Sequence, residues 1–392
     1  MSNQQASKVR IHAILWNSLG PGSVAYTVNE LLDNLPKAKA EAKLWCLSRD
    51  PGRPRDFHRP ALPDLLFRIL CRAGVSSQLH MRLAREAALR EIAPGDIVYV
   101  WPPYDLQMIK RARSKGATVI AERINCMSGL VRDVLTPAYS RRGLPLPEGW
   151  CTPEGEAQER EEMMQCDFVT APNSHVARSI QMAGISEDRI LHTSYGYDPD
   201  RLRSAIGKAR PSRDPVFAFV GLGIIRKGFD VLLEAWAAAG VRGRLLIAGE
   251  IDEDLRAAYA DTLSREDVHV LGYVRDIASV YAAADVFVFP THEEGGPQVT
   301  YEAAACGLPC IVSPMGTGRL VRDGIEGIIV DPLDVGNLAD AITRLAADEH
   351  LRRSLGANSA ERAHDFTWNK VGGRLYDLFR SAAQADSMTR AF

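Results

Sequence analysis

Short apolar segments recur along this chain, and they alternate with longer stretches in which apolar residues have helical spacing. They cover residues 9–16, 43–47, 96–101, 117–121, 167–171 and 189–193 in the first half, and 216–221, 245–249, 268–272, 286–290, 310–313 and 327–330 in the second. Strands that alternate with helices indicate a parallel, doubly wound sheet. Because the series begins again near residue 216, the sequence predicts two α/β domains.

The length of the chain, 392 residues, also favours two domains, because a single core seldom serves so many. We predict a first domain over residues 1–207, a polar, proline-containing linker over 208–215, a second domain over 216–370, and a C-terminal helix and tail over 371–392. Ligands bind doubly wound sheets at the carboxyl ends of the strands. The functional site is therefore expected in a cleft between the two domains.

Composition argues against a nucleic-acid-binding protein, a membrane-spanning protein and a protein built on disulfides or zinc. The net charge of −2 provides no basic field for nucleic acid. The N-terminal residues lack the apolar core of a signal peptide, and no run reaches the roughly 18 apolar residues that span a bilayer, so a cytoplasmic location is expected. The seven cysteines form no Cys-x2-Cys pair, which indicates neither a zinc site nor a disulfide framework.

Residues 57–93 mix arginines with leucines and other apolar residues. A basic amphipathic stretch of this kind could make peripheral contact with anionic lipid at the inner face of the membrane, or it could hold an anionic acceptor. The alternative is a helix that packs on the core and presents its arginines to solvent. The sequence leaves these interpretations open.

The most informative segment runs from Glu294 to Glu302 and reads EGGPQVTYE. It joins the apolar segment 286–290 to a helix that Gly307 and Pro309 end. A helix start presents free N–H groups to an anion, and both carboxylates can face a ligand there. This combination suits a sugar nucleotide, because amides bind its diphosphate and carboxylates accept hydrogen bonds from its hydroxyls.

With its flanks the segment reads FVFPTHEEGGPQVTYEAAACGLP, which resembles the donor-site motif of the retaining family 4 glycosyltransferases, or glycosyl transferases group 1. The likeness extends through most of residues 214–370 and more loosely through 9–30 and 160–200. It implies the GT-B fold, in which two Rossmann-like doubly wound domains face each other across a cleft and a C-terminal helix crosses back to the first domain.

The resemblance also implies roles for individual residues in the second domain. Glu302 corresponds to the residue that holds the ribose hydroxyls of the donor, and Glu294 to the one beside the donor sugar and the reaction centre. Backbone amides at Gly295 and Gly296 would hold sugar hydroxyls. Tyr273 would flank the nucleotide base, although a packing role for its ring is equally open.

A second loop, GLGIIRKG, begins at Gly221. Gly221 and Gly223 are donor-binding candidates, and Lys227 corresponds to a family lysine on the donor diphosphate, where a cation stabilises the departing phosphate. The family commonly has an arginine directly after the first glycine. Leu222 stands there in this chain, and Arg226 is the residue that could supply the charge.

Gly20 and Gly22 follow the first apolar segment, in a loop that the family uses to contact phosphate or acceptor. With Ala25 they also fit the dinucleotide fingerprint G-x-G-x-x-A. That fingerprint expects an acid about 20 residues further on. Residues 45–48 of this chain read WCLS instead, so the dinucleotide interpretation is weak.

Two further positions depart from the family pattern. Members often have a histidine after the fourth strand of the first domain, whereas Glu122, Arg123 and Asn125 are the polar residues available here. Arg319 stands where an acid is usual. Both departures bear on which donor sugar fits.

The resemblance as a whole implies a retaining, metal-independent, hexosyltransferase-like enzyme of carbohydrate biosynthesis that needs no cofactor. It would move a sugar from a nucleoside diphosphate donor, with UDP-sugar the first expectation and GDP-mannose the second, to a hydroxyl of a glycan, lipid or small metabolite. Lys227, Arg226 and Glu294 would be the catalytic residues. A non-catalytic scaffold that binds sugar nucleotides and an NAD-dependent dehydrogenase remain as alternatives.

Overall fold

The computed structural model describes residues 8–19, 23–48, 55–60, 62–63, 67, 69, 72, 77–207 and 214–390. Within these residues the strands form two parallel sheets, one of seven strands and one of six. Helices connect most of the successive strands. The chain therefore has the α/β, doubly wound architecture that the sequence predicts.

The seven-stranded sheet and its helices form the first module, with strand order β3-β2-β1-β4-β5-β6-β7. The strands are β1 (Val9–Ser18), β2 (Ala40–Ser48), β3 (His58–Pro60), β4 (Ile97–Val100), β5 (Thr118–Ala121), β6 (Phe168–Ala171) and β7 (Ile190–His192). The helices are α1 (Ser23–Asp33), α2 (Ser77–Glu91), α3 (Leu106–Ser114), α4 (Ser128–Ser140), α5 (Pro153–Gln165) and α6 (Ser174–Met182). The short β3 was not predicted, and it is an edge strand, where a proline is tolerated.

The six-stranded sheet and its helices form the second module, with strand order β10-β9-β8-β11-β12-β13. The strands are β8 (Val216–Val220), β9 (Arg244–Ala248), β10 (Val268–Gly272), β11 (Val286–Phe289), β12 (Cys310–Val312) and β13 (Gly327–Ile329). The helices are α7 (Phe229–Ala239), α8 (Glu253–Ala258), α9 (Ala260–Leu263), α10 (Ile277–Ala283), α11 (Gln298–Ala305), α12 (Val335–Ala347) and α13 (Glu349–Ala363).

The central strands explain why the apolar segments were readable in the sequence. Every residue of β4, β8 and β11 is buried. A parallel sheet covered on both faces excludes water from both sets of side chains, so its strands are continuous apolar runs. Their carboxyl ends bring the loops of the two modules to a shared boundary.

The last helix, α14 (Trp368–Arg390), leaves the second module and packs against the first sheet. The ring of Phe379 lies 4.8 Å from that of Tyr99, and Thr118 Oγ1 donates a hydrogen bond to Asp386 at 2.7 Å. The expected return of the C-terminal helix to the first domain is therefore confirmed. The domain limits remain predictions, and residues 208–213 of the predicted linker lie outside the described residues.

Helix α2 carries most of the described part of the basic amphipathic stretch, residues 57–93. Its Ala84 and Ala88 are buried, and Arg85 forms an ion pair with Asp105 at 2.8 Å. Leu79 and Leu83 on the same helix are 45% and 44% exposed. One face therefore packs on the core, as the alternative interpretation expects, while contact with a membrane stays a prediction. Among the residues described, no helix is both long and apolar enough to cross a bilayer.

Candidate functional site

A cavity of about 500 Å³ lies between the two modules, at the carboxyl ends of their central strands. Its volume is within the range of about 300–1,000 Å³ that is usual for small-molecule sites. The first module contributes Val24, Thr27, Trp101, Ile124, Asn125 and Tyr195. The second contributes Gly221, Leu222, Arg226, Lys227, Phe289, Glu294, Gly296, Pro297, Gln298 and Val299, together with Val220 at the end of β8.

Lys227 and Glu294 form an ion pair in this cavity. Their side chains are only 12% and 14% exposed, and the Lys227 ammonium lies 5.4 Å from the centre of the Phe289 ring. The two loops are held together by the Arg226 carbonyl, which accepts hydrogen bonds from the His292 amide at 2.9 Å and from a threonine hydroxyl beside it. The structure thus brings together two residues that the sequence placed 67 positions apart.

The environment of Lys227 makes its charge responsive to a ligand. Burial, and then the nearby Arg226 guanidinium, lower the pKa of Lys227 to about 7, and the carboxylate of Glu293 opposes the shift. Contact with Glu294 also favours the ammonium form. An anionic group in the cavity would do the same, since an opposite charge stabilises the protonated amine.

Glu293, which the sequence analysis did not single out, joins the two modules. It is buried, and its carboxylate accepts a hydrogen bond from the Cys126 amide at 3.1 Å and from Arg226 Nη1 at 3.0 Å. Arg226 therefore lines the cavity but directs its charge at Glu293 in this structure. The pair of adjacent acids after β11 was the only signal in the sequence, and it did not show which of the two faces the first module.

Gly295 and Gly296 lie where the two modules approach most closely. A Cβ atom on Gly295 would overlap the carbonyl oxygen of Ile124, and one on Gly296 would overlap the ring of Tyr195. Asn173 Nδ2 donates to the carbonyl oxygens of Glu294, at 2.9 Å, and Gly295, at 2.5 Å. These glycines therefore permit module contact, and their predicted role on sugar hydroxyls stays a prediction.

Tyr195 is held in place by a buried carboxylate. Its hydroxyl donates to Glu122 at 2.6 Å, and the hydroxyls of Tyr99 and Thr170 donate to the same carboxylate. Burial raises the pKa of Glu122, and the three hydroxyl donors oppose the shift. Of the polar residues proposed for the missing histidine's place, Asn125 is the one that lines the cavity.

Glu302 lies on α11, away from the lining of the cavity. Its carboxylate accepts a hydrogen bond from the Tyr281 hydroxyl at 2.9 Å and lies 3.5 Å from Arg201. Burial raises the pKa of Glu302, while Arg201 and Tyr281 lower it. A ribose that reaches this carboxylate must share or displace these partners, and contact with the donor stays a prediction.

The remaining donor-binding candidates lie in different places relative to the cavity. Gly221 lines the cavity with φ 149°, in the region that favours glycine, whereas Gly223 packs against Ile251 outside it. Tyr273 is 79% exposed, so it is not the packing residue that the alternative interpretation expected. Gly20 and Gly22 lie outside the described residues.

Leu222, which replaces the family arginine, is 53% exposed at the rim of the cavity. Arg319 lies elsewhere and contacts the end of β6 in the first module. Among the described residues, no group of three or more His, Cys, Asp or Glu side chains is arranged to hold a metal ion.

The chain is similar to known glycosyltransferases in sequence. Residues 214–348 match the family model described as Glycosyl transferases group 1. The chain is similar to a D-inositol 3-phosphate glycosyltransferase of Saccharomonospora viridis, with 29% identity over 229 residues, which cover 53% of each chain. The chain thus spans about half the length of that curated relative.

Solved structures share the fold over nearly the whole chain. A sucrose-phosphate synthase of Thermosynechococcus elongatus is 19% identical with a TM-score of 0.73, over 96% of this chain and all of that one. HepE of Anabaena, in complex with UDP and glucose, is 15% identical with a TM-score of 0.66, over 95% of this chain and all of that one. At these identities the likeness establishes the architecture.

Proposed function

Because this chain belongs to the group 1 glycosyltransferases and has their GT-B fold, we propose that it transfers a sugar from a nucleotide-sugar donor to an acceptor hydroxyl, with retention of the anomeric configuration. The observation that carries the proposal is the buried Lys227–Glu294 pair in the cavity between the modules. Both residues lie in the part of the chain that matches the family model.

In this proposal the donor diphosphate lies against Lys227. Breaking the bond to the sugar places negative charge on the departing phosphate, and a cation held in a partly buried cavity stabilises that charge more than one in water. Lys227 then exchanges its present partner for the phosphate. Arg226 lies beside it and adds positive potential, although Glu293 neutralises part of its charge.

Release of Lys227 leaves Glu294 free to accept hydrogen bonds from the donor sugar. The leaving phosphate accepts the proton of the acceptor hydroxyl on the same face, so no separate basic side chain is needed for retention. This agrees with Asn125, rather than histidine, on the first-module wall. The acceptor approaches from that wall, beside Thr27, Trp101 and Tyr195.

UDP-sugar is the donor we propose to test first, with GDP-mannose second; a structural relative was solved with UDP and glucose. The acceptor class stays open among glycans, lipids and small metabolites. We propose a reaction independent of metal ions, which consumption of the donor after treatment with EDTA would test. The dehydrogenase interpretation depends on Gly20 and Gly22, which lie outside the described residues, and family membership favours the transferase.

The experiment combines binding with consumption. A panel of sugar nucleotides is screened by thermal shift, and release of the nucleoside diphosphate is then measured with and without candidate acceptors. Lys227→Gln should abolish consumption, and Glu361→Gln, an exposed acid on α13, is the control. A sugar nucleotide that binds but is not consumed with any of the acceptors tested would favour the scaffold alternative. Absence of binding by every sugar nucleotide would overturn the proposal.

A further inference from the structure

A second, smaller cavity of about 170 Å³ lies at another junction of the two modules. It shares no lining residue with the cavity that contains Lys227. His192, Thr193 and Ser194 of the first module, Arg319 of the second module and Arg374 of the crossing helix α14 provide its polar lining. Its volume is well below the range of about 300–1,000 Å³ for larger ligands, so a single small group would fill it.

Arg319 is held in an unfavourable backbone conformation at this cavity. Its φ of 60° is in the left-handed region, which costs a residue other than glycine about 1–2 kcal/mol. Its guanidinium donates to the carbonyl oxygens of Pro172 at 3.1 Å and Ala171 at 3.2 Å, and lies 3.0 Å from His192 Nδ1. Conformational cost of this kind tends to persist at sites that bind ligands.

Among the described residues, neither guanidinium at the cavity is paired directly with a carboxylate, although the Asp365 carboxylate favours the charged form of Arg374 from a longer distance. Arg374 donates to the Asp365 carbonyl at 2.7 Å and to Ser194 Oγ at 3.3 Å, while the Asp365 carboxylate pairs with Lys370 at 3.0 Å. Within the described residues, no carboxylate forms an ion pair with Arg319 or Arg374. Burial lowers the pKa of both arginines, which is the expected effect of desolvating a cation.

Several donors in the lining are still available. An arginine has five N–H groups in a fixed geometry, and within the described residues Arg319 Nη1 and Arg374 Nε make no hydrogen bond. The Thr193 hydroxyl is also buried without a partner, in a residue that is 8% exposed. A buried hydroxyl without a partner costs stability, so a group rich in hydrogen-bond acceptors would be stabilising here.

We propose that this cavity binds the phosphoryl group of a small anion, either inorganic phosphate or a phosphomonoester. Hydrogen bonds from a guanidinium to phosphate oxygens are strengthened by charge, and the lining supplies one unused nitrogen from each of two guanidinium groups together with a hydroxyl. The bound group would contact both modules and α14, so binding stabilises the arrangement seen here. The proposal goes beyond the transfer reaction and does not depend on it.

Calorimetric titration with inorganic phosphate, against sodium chloride at equal ionic strength, tests the site. The titration is made on Lys227→Gln, so that phosphate bound at the Lys227 ammonium of the larger cavity does not contribute. Arg374→Gln and Arg319→Gln are then added singly, and Arg380→Gln, an exposed arginine on the same helix, is the control. If Arg319→Gln does not fold, the comparison with Arg374→Gln alone tests the site.

We expect saturable phosphate binding that weakens about tenfold or more with either lining substitution and is unchanged by the control, since each removes a charge-assisted hydrogen bond. Repeating the titration with glycerol 2-phosphate distinguishes the sources, because tighter binding of the ester would identify a phosphomonoester and weaker binding would identify the free ion. No saturable binding, or equal binding by Arg374→Gln, would overturn the proposal.

Discussion

The buried ammonium of Lys227 should make donor binding depend on pH in one direction. Burial lowers the pKa of Lys227 to about 7, so its positive charge is lost as the pH rises through that value. A donor diphosphate binds the ammonium form better than the neutral amine. Affinity for the donor should therefore be greatest at low pH and should fall as the pH rises.

The size of the effect follows from the protonated fraction. With a pKa of about 7, roughly half of the amine is charged at about pH 7 and roughly one part in a hundred at about pH 9, because each unit is a tenfold change. If only the charged form binds, affinity falls about fifty-fold over that interval. Contact with Glu294 favours the ammonium, so fifty-fold is the upper value.

The measurement is calorimetric affinity for the bound sugar nucleotide between about pH 6 and about pH 9 at constant ionic strength. Lys227→Arg is the matched control, because a guanidinium stays charged throughout this range. Titration of the ligand affects both proteins equally and cancels in the comparison. Parallel profiles for the two proteins, or wild-type affinity that increases with pH, would refute the reasoning.

Other contacts at the module boundary lead to three further predictions. Gly295→Ala should lower both the melting temperature and donor turnover, because the added Cβ would overlap the Ile124 carbonyl oxygen. Gly373→Ala is the control: nothing lies within 4 Å of its added Cβ, so it should be neutral or slightly stabilising. Equal effects of the two substitutions would contradict the close approach at Gly295. Glu302→Ala should weaken donor affinity about tenfold or more, since hydrogen bonds to a charged group contribute about 1.5–3 kcal/mol, and unchanged affinity by calorimetry would remove Glu302 from the donor site. Glu293→Ala should lower the free energy of unfolding by about 1–3 kcal/mol, because a buried amide and Arg226 lose their partner; denaturant unfolding with a change within error would show that the contact is not formed.

Most of the fold was predictable because burial leaves a local pattern. Segment 268–272 became β10 with the same limits, and 286–290 became β11 one residue shorter. The helix after Glu294 was predicted from Gly307 and Pro309, which end it, and a C-terminal helix was predicted as well. The edge strand β3 was missed, since three residues that include a proline carry too little periodicity.

Side-chain roles at the boundary were less predictable. The sequence singled out Glu294 and Lys227, and the structure joins them. The sequence did not reveal that Glu293 bridges the modules. It also identified Arg319 as unusual without indicating its neighbour Arg374. These partners come from segments tens to hundreds of residues apart, which no local pattern relates.

The order of apolar and polar residues specified most of the strands and helices and the two doubly wound modules, because exclusion of water acts on each segment locally. Which acid faces the neighbouring module, why Gly295 must lack a side chain, and which arginines share a cavity were decided when the modules met. Those features depend on distances between segments remote in the chain, and only the packed structure sets such distances.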